Sequence, residues 1–174
     1  LIIVNANGTI SFFEGGGGTF LTTSSTVFSE MNKFYHVALS RNSGTYTAYI
    51  DGVVSGTSTT AGTKNFSQTT NYRIGQAYDS STAMNRKFEG RISNYRLVIG
   101  YPVYSGNFSP PTEPFQASDQ TGTEFIVLGN TPYVSDIGPN NRTVTIGTYF
   151  KLAPSGPFDN LEYLSLIHIS EPTR

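Results

Sequence analysis

The chain has 174 residues, enough for one domain with a real core, and only 13% of them are charged, about half the usual share for a globular protein. Its net charge of −1, with Lys and Arg scattered, leaves no basic stripe for a phosphate backbone and so argues against nucleic acid as a partner. The lack of any cysteine excludes disulfides and thiolate metal sites, and no apolar run reaches the roughly 18 residues that a membrane span needs.

In chain order, residues 1–4 and 9–14 are apolar, β-branched and aromatic, and Asn5-Ala6-Asn7-Gly8 between them reads as a hairpin turn. Gly15 to Gly18 form a loop. They do not make a phosphate cradle, because Thr19-Phe20-Leu21-Thr22-Thr23 follows as another strand where a P-loop needs Gly-Lys-Ser/Thr and a helix. Residues 34–41 and 45–50 are the strongest strand pair, joined by Asn42-Ser43-Gly44. Tyr46, Ala48 and Ile50 alternate with Thr45, Thr47 and Tyr49, the period of a half-buried strand. Asp51-Gly52 suits a type I′ turn, and residues 53–58 return. A polar loop over 57–68, anchored by Phe66, leads to strands over 71–78 and 88–99. Pro102, Pro110, Pro111 and Pro114 surround Tyr101, Tyr104, Phe108 and Phe115, which predicts an irregular segment that wraps a sheet edge and pins itself with aromatics. Residues 124–128 read as a further strand. No helical period occurs, so the fold class expected is all-β.

Five pieces stand in a fixed order: Phe34-Tyr35-His36-Val37-Ala38, Tyr49-Ile50-Asp51-Gly52, Ile74-Gly75, Phe88-Glu89-Gly90-Arg91-Ile92 and a strand leading to Tyr104. Together they resemble the laminin-G-like family within the concanavalin A-like lectin/glucanase superfamily, over roughly residues 1–116. The resemblance implies a concanavalin A-like jelly-roll β-sandwich of antiparallel strands, truncated at its N-terminus. Phe34 stands where the family usually has Trp, and His36 takes a structural place, with its imidazole expected to be hydrogen-bonded inside the sandwich. Residues 136–147 resemble the opening of such a domain, although Ile137 and Gly138 depart from the pattern. Residues 117–163 are therefore either closing strands of the first domain or the start of a second repeat. Residues 164–174 match the translation of a sequencing-library adapter and stand outside fold reasoning; the chain is expected to be a fragment of a longer protein from a mixed environmental sample.

The acids do not repeat with the E-x-D-x-x-E spacing of glycosidases of this fold class, where two carboxylates must flank the scissile bond, so the expectation is a non-catalytic protein. Sugar recognition needs flat aromatic faces with amides, hydroxyls or a planar Arg nearby. Tyr78, Asp79, Asn85 and Arg86 offer that chemistry on one loop, and Tyr101 and Tyr104 on another, with edge packing the competing role for each Tyr. The resemblance also brings in calcium as a cofactor, for which Asp79 and Asn85 are the oxygen donors, while Arg86 and Lys87 beside them oppose a cation. Asp51 is accounted for by its turn. The function expected is a carbohydrate or host-surface binding module of a larger adhesion or phage tail-type virion protein, at a virion or bacterial surface, in contact with other domains or subunits of that protein. A structural spacer or assembly domain is the alternative, and a glycoside hydrolase the third reading.

Overall fold

The computed structural model describes residues 2–13, 19–24, 27–30, 32–59, 73–77, 86–116, 122–128, 134–146 and 156–158. Among them there are eleven β-strands and no helix. β1 (Ile2–Val4), β2 (Ile10–Phe13) and β3 (Thr19–Thr22) form one antiparallel sheet, and β4 (Val37–Asn42), β5 (Thr45–Ile50) and β6 (Val53–Thr59) form a second. β7 (Gln76–Ala77) pairs with β8 (Arg86–Lys87). β9 (Tyr95–Val98), β10 (Thr123–Leu128) and β11 (Ser135–Asp136) make a further antiparallel sheet, with β10 in the centre.

Both hairpins of the second sheet close on two-residue turns, as their sequences require. Ser43 and Gly44 have φ of 47° and 90°, and Asp51 and Gly52 have 48° and 80°. Positive φ at both central residues is the type I′ geometry whose twist matches the flanking strands. Asp51 does more than turn: its Oδ1 accepts from the His36 N–H at 2.8 Å, and its own N–H donates to the His36 carbonyl at 2.8 Å. The β4–β5 pairing is thereby continued one residue beyond the strand.

The core lies between the first two sheets. Ile10, Phe12 and Leu21 from one face meet Tyr46 and Ala48 from the other, joined by Val27, and all are buried. Phe20 bridges the layers, 4.4 Å from the Tyr46 ring and 6.4 Å from Phe12 between centroids. At the seam Ser24 N–H donates to the Ser55 carbonyl at 2.6 Å. The opposite face of β2 is polar, where Ser11 Oγ meets Asn5 Nδ2 at 2.8 Å and Thr22 Oγ1 at 2.9 Å, so the buried hydroxyl is satisfied.

Four expectations need correction. The fourth strand starts at Val37 and not at Phe34; His36 still pairs with Asp51, but the Tyr35 hydroxyl is turned back to the Glu30 N–H, which it meets at 2.9 Å. Of the strand expected over 71–78, only Gln76–Ala77 is strand among its described residues 73–77. The strand expected over 88–99 is confined to Tyr95–Val98; the Phe88 ring folds over Gly90, leaving 2.6 Å to where a Cβ would stand, and Asn94 at φ 55° breaks the extended run. The alternation in β5 also fails at its end. Tyr49, on the face opposite Ala48, is 1% exposed, and the cause is the segment described next.

Candidate functional site

After β9 the chain leaves the ladder and crosses the outer face of the second sheet. Pro102, Pro110, Pro111 and Pro114 cannot donate to a ladder, so residues 101–116 are held by other bonds. Ser40 Oγ donates to the Tyr104 carbonyl at 2.8 Å, and the Tyr49 hydroxyl lies 3.5 Å from the same oxygen. The Val54 N–H donates to Asn107 Oδ1 at 3.0 Å, and the Phe108 N–H to the Gly52 carbonyl at 2.9 Å. The rings of Tyr104 and Phe108 stack at 3.6 Å with an interplanar angle of 4°. Tyr49 and His36 meet that stack edge-on, both at 5.4 Å from Phe108 and at 6.1 and 6.2 Å from Tyr104. Offset and edge-to-face contacts of this kind contribute about 1 kcal/mol each beyond area burial.

His36 corrects an expectation. Its imidazole is packed against aromatic edges, and Nδ1 is buried without a hydrogen-bond partner. Burial holds its pKa below the ordinary value; the Arg96 guanidinium pushes the same way and the Asp51 carboxylate opposes both. Burial likewise raises the Tyr104 hydroxyl above its ordinary value, against the opposing charge and hydrogen bond of Arg96.

Arg96, opposite Ile126 in the β9–β10 ladder, is where the crossing segment meets the sheet of β9, β10 and β11. Its guanidinium lies over the Phe115 ring at 4.1 Å, and Nη2 is 3.5 Å from the Tyr104 hydroxyl. Arg96 and residues 111–116 line an open groove of about 340 Å³, and the lining residues include a guanidinium, the Thr112 hydroxyl, the Glu113 carboxylate, the Phe115 ring and the Gln116 amide, which donates to the Pro114 carbonyl at 3.3 Å. Chemically it is a shallow mixed site, with an aromatic ring, a planar cation and hydrogen-bonding groups on one surface.

Of the residues singled out in the sequence, Tyr78, Asp79 and Asn85 lie outside the described residues, and with them the proposed calcium donors. Arg86 is placed by its backbone in β8, paired with Ala77. Tyr101 is 40% exposed, with Cε1 3.2 Å from where a Cβ on Gly122 would stand. Tyr104 has one ring face covered by Phe108 and its carbonyl fixed by Ser40, so it pins the segment and presents its hydroxyl to Arg96. Among the described residues no group of three or more His, Cys, Asp or Glu side chains could hold a metal. No helix among them is long and apolar enough to cross a membrane. Sequence reasoning missed Arg96, Thr112, Phe115 and Gln116 as one site; the available signal was the proline-bracketed run 110–116, which must leave the ladder and expose its side chains together.

A laminin-G family model, described as the concanavalin A-like lectin/glucanases superfamily, matches residues 1–99. No curated protein and no solved structure matches the chain. The match covers more than half of the chain and agrees with the helix-free antiparallel sheets and their packed inner faces, which supports a lectin-like or binding module. The chain belongs to the concanavalin A-like lectin/glucanase superfamily.

Proposed function

We propose that the chain is a non-catalytic module that binds carbohydrate. The observation that carries this reading is the groove between Arg96 and residues 111–116, where an aromatic ring, a planar cation, a hydroxyl, an amide and a carboxylate share one open surface. Sugars are bound by that combination: the ring takes the C–H face and the polar groups take the hydroxyls. The setting we infer for it is a larger adhesion protein at a virion or bacterial surface, to which the cysteine-free, hydroxyl-rich composition is suited.

A glycan array followed by calorimetry on the best ligand tests the reading. Phe115→Ala should weaken binding about fivefold or more, the value of one aromatic contact. Full affinity in Phe115→Ala, with loss in Tyr78→Ala and Arg86→Ala, would move the site to the loop between β7 and β8. The assembly-domain reading is favoured by a different observation, the exposure of Val53 (57%) and Leu39 (37%), which share one face of the second sheet through their partners Ile50 and Ala48. Sedimentation distinguishes it, because an assembly domain associates with itself or its neighbours and binds no sugar. A hydrolysis assay on β-glucans tests the absence of catalysis.

A further inference from the structure

We propose that the groove selects an acidic sugar, with Arg96 recognising the carboxylate of a uronic acid residue. This rests on the reading of the groove as a saccharide site and names the class of sugar.

The argument begins with the bonding of Arg96. A guanidinium is always charged at neutral pH and carries five N–H donors in a planar fork. Here it is half-buried, one face is covered by Phe115, and its one hydrogen bond among the described residues is the long 3.5 Å approach to the Tyr104 hydroxyl. The ion pair found among the described residues is Lys33–Glu30, so no described carboxylate lies within 4.0 Å of Arg96. A partly desolvated cation with most of its donors unspent is stabilised by an anion delivered into the groove, and a carboxylate fits the fork in two parallel hydrogen bonds. Phe115 beneath the plane and Tyr104 at one edge fix the orientation of the guanidinium before the ligand arrives, so little side-chain freedom is lost on binding.

Glu113 lines the same groove and opposes an anion. Its side chain is exposed, beyond ion-pair distance from Arg96, and screened by water and salt, whose Debye length is about 8 Å at physiological ionic strength. It is also an acceptor for hydroxyls. A hexuronate carries both complementary groups on one ring, a carboxylate for Arg96 and vicinal hydroxyls for Glu113 and Thr112. With a net charge of −1 the protein has no long-range attraction for polyanions, so selectivity must come from this local contact.

The test compares trigalacturonic acid with its methyl ester, the same sugar with the charge removed, by calorimetry on the full chain at pH 7. The acid should bind about tenfold or more tightly than the ester, the value of a charge-assisted hydrogen-bond pair. Arg96→Gln should erase the difference, and Arg96→Lys should retain part of it because an ammonium lacks the fork. A second readout is the His36 imidazole in NMR titrations: burial is the main cause of its lowered pKa and the Arg96 charge adds to it, so the acid, but not the ester, should raise that pKa by offsetting the Arg96 share. Equal affinity for acid and ester, both lost in Phe115→Ala, overturns the proposal while the saccharide reading stands. Binding of neither overturns both. A preference for acid that survives in a folded Arg96→Gln variant places the recognition elsewhere and overturns the proposal.

Discussion

Gly52 is the residue on which the crossing segment depends, and Gly52→Ala tests that dependence. A Cβ added there would stand 1.8 Å from the Phe108 carbonyl oxygen, 2.9 Å from its carbon and 3.2 Å from Pro110 Cδ. The oxygen belongs to backbone that is itself bonded to Gly52, through the Phe108 N–H, so it cannot give way without breaking that bond. Gly75 supplies a matched control: its φ is 79° against 80° for Gly52, and its Cβ would meet only Ile92 Cδ1, at an ordinary 3.7 Å. Gly75→Ala should therefore cost only the left-handed backbone penalty, about 1–2 kcal/mol. Gly52→Ala carries the same penalty and adds a lost hydrogen bond of about 1 kcal/mol and part of the Phe108 ring contacts, about 1 kcal/mol more, for a total of about 3–4 kcal/mol. Urea unfolding followed by tyrosine fluorescence and circular dichroism measures both, the chain having no Trp. Equal losses in the two variants would refute the claim that the Gly52–Phe108 approach holds the segment down.

His36 should make stability fall in mild acid. Its pKa is lowered in the folded protein, so the unfolded chain takes up a proton first; the contribution of the neutral imidazole is complete above about pH 6.5 and is lost as pH falls from there through the folded value. Unfolding at pH 7.5 and pH 5 should show this loss in the wild type and a smaller one in His36→Gln, and equal losses would remove His36 as the cause. Asp136 is 5% exposed, and its carboxylate accepts from three backbone N–H groups, those of Ile126 (2.9 Å), Gly138 (2.8 Å) and Arg142 (2.8 Å). Asp136→Asn sets an amide N–H₂ against at least one of those donors, which should cost about 2 kcal/mol in urea unfolding and release the 138–142 turn to hydrogen exchange; an unchanged midpoint would mean that the turn stands without it.

What could be read from the sequence was what neighbours in the chain decide. Ser43-Gly44 and Asp51-Gly52 have the residue types that two positive φ values demand, and the strands they join pair from Asn42↔Thr45 and Ile50↔Val53 outward. The jelly-roll superfamily followed from motif order. Tyr49 was misread because its cover, Tyr104, lies 55 residues further on, and a period-two pattern carries no information about a non-ladder segment that will cross the face. Arg96 escaped for a related reason: a lone cation on a strand resembles a solvent-facing residue until Phe115 is laid over it. Conversely, Tyr104 drew attention as a binding aromatic because its residue type suits stacking on a sugar, yet it is spent on holding the segment, with its ring stacked on Phe108 between the edges of Tyr49 and His36 and its hydroxyl turned to Arg96.

The same segment that buries Tyr49 also forms one wall of the groove, which couples stability to recognition. Tyr104 is held to the sheet by Ser40 and in turn gives Arg96 a polar contact at its hydroxyl, so the position of the guanidinium traces back through the Tyr104–Phe108 stack to Gly52 and His36. A groove built this way cannot be loosened at its base without losing aim at its rim, since residues 110–116 are proline-rich and transmit a shift at Phe108 with few internal rotations to absorb it. Gly52→Ala should therefore weaken ligand binding under conditions where the variant is still fully folded, although Gly52 is not among the residues that line the groove. Gly75→Ala should not. A Gly52→Ala protein that is destabilised yet binds as the wild type does would show that the groove is fixed from the β9–β10 side alone, by the position of Arg96 in its ladder.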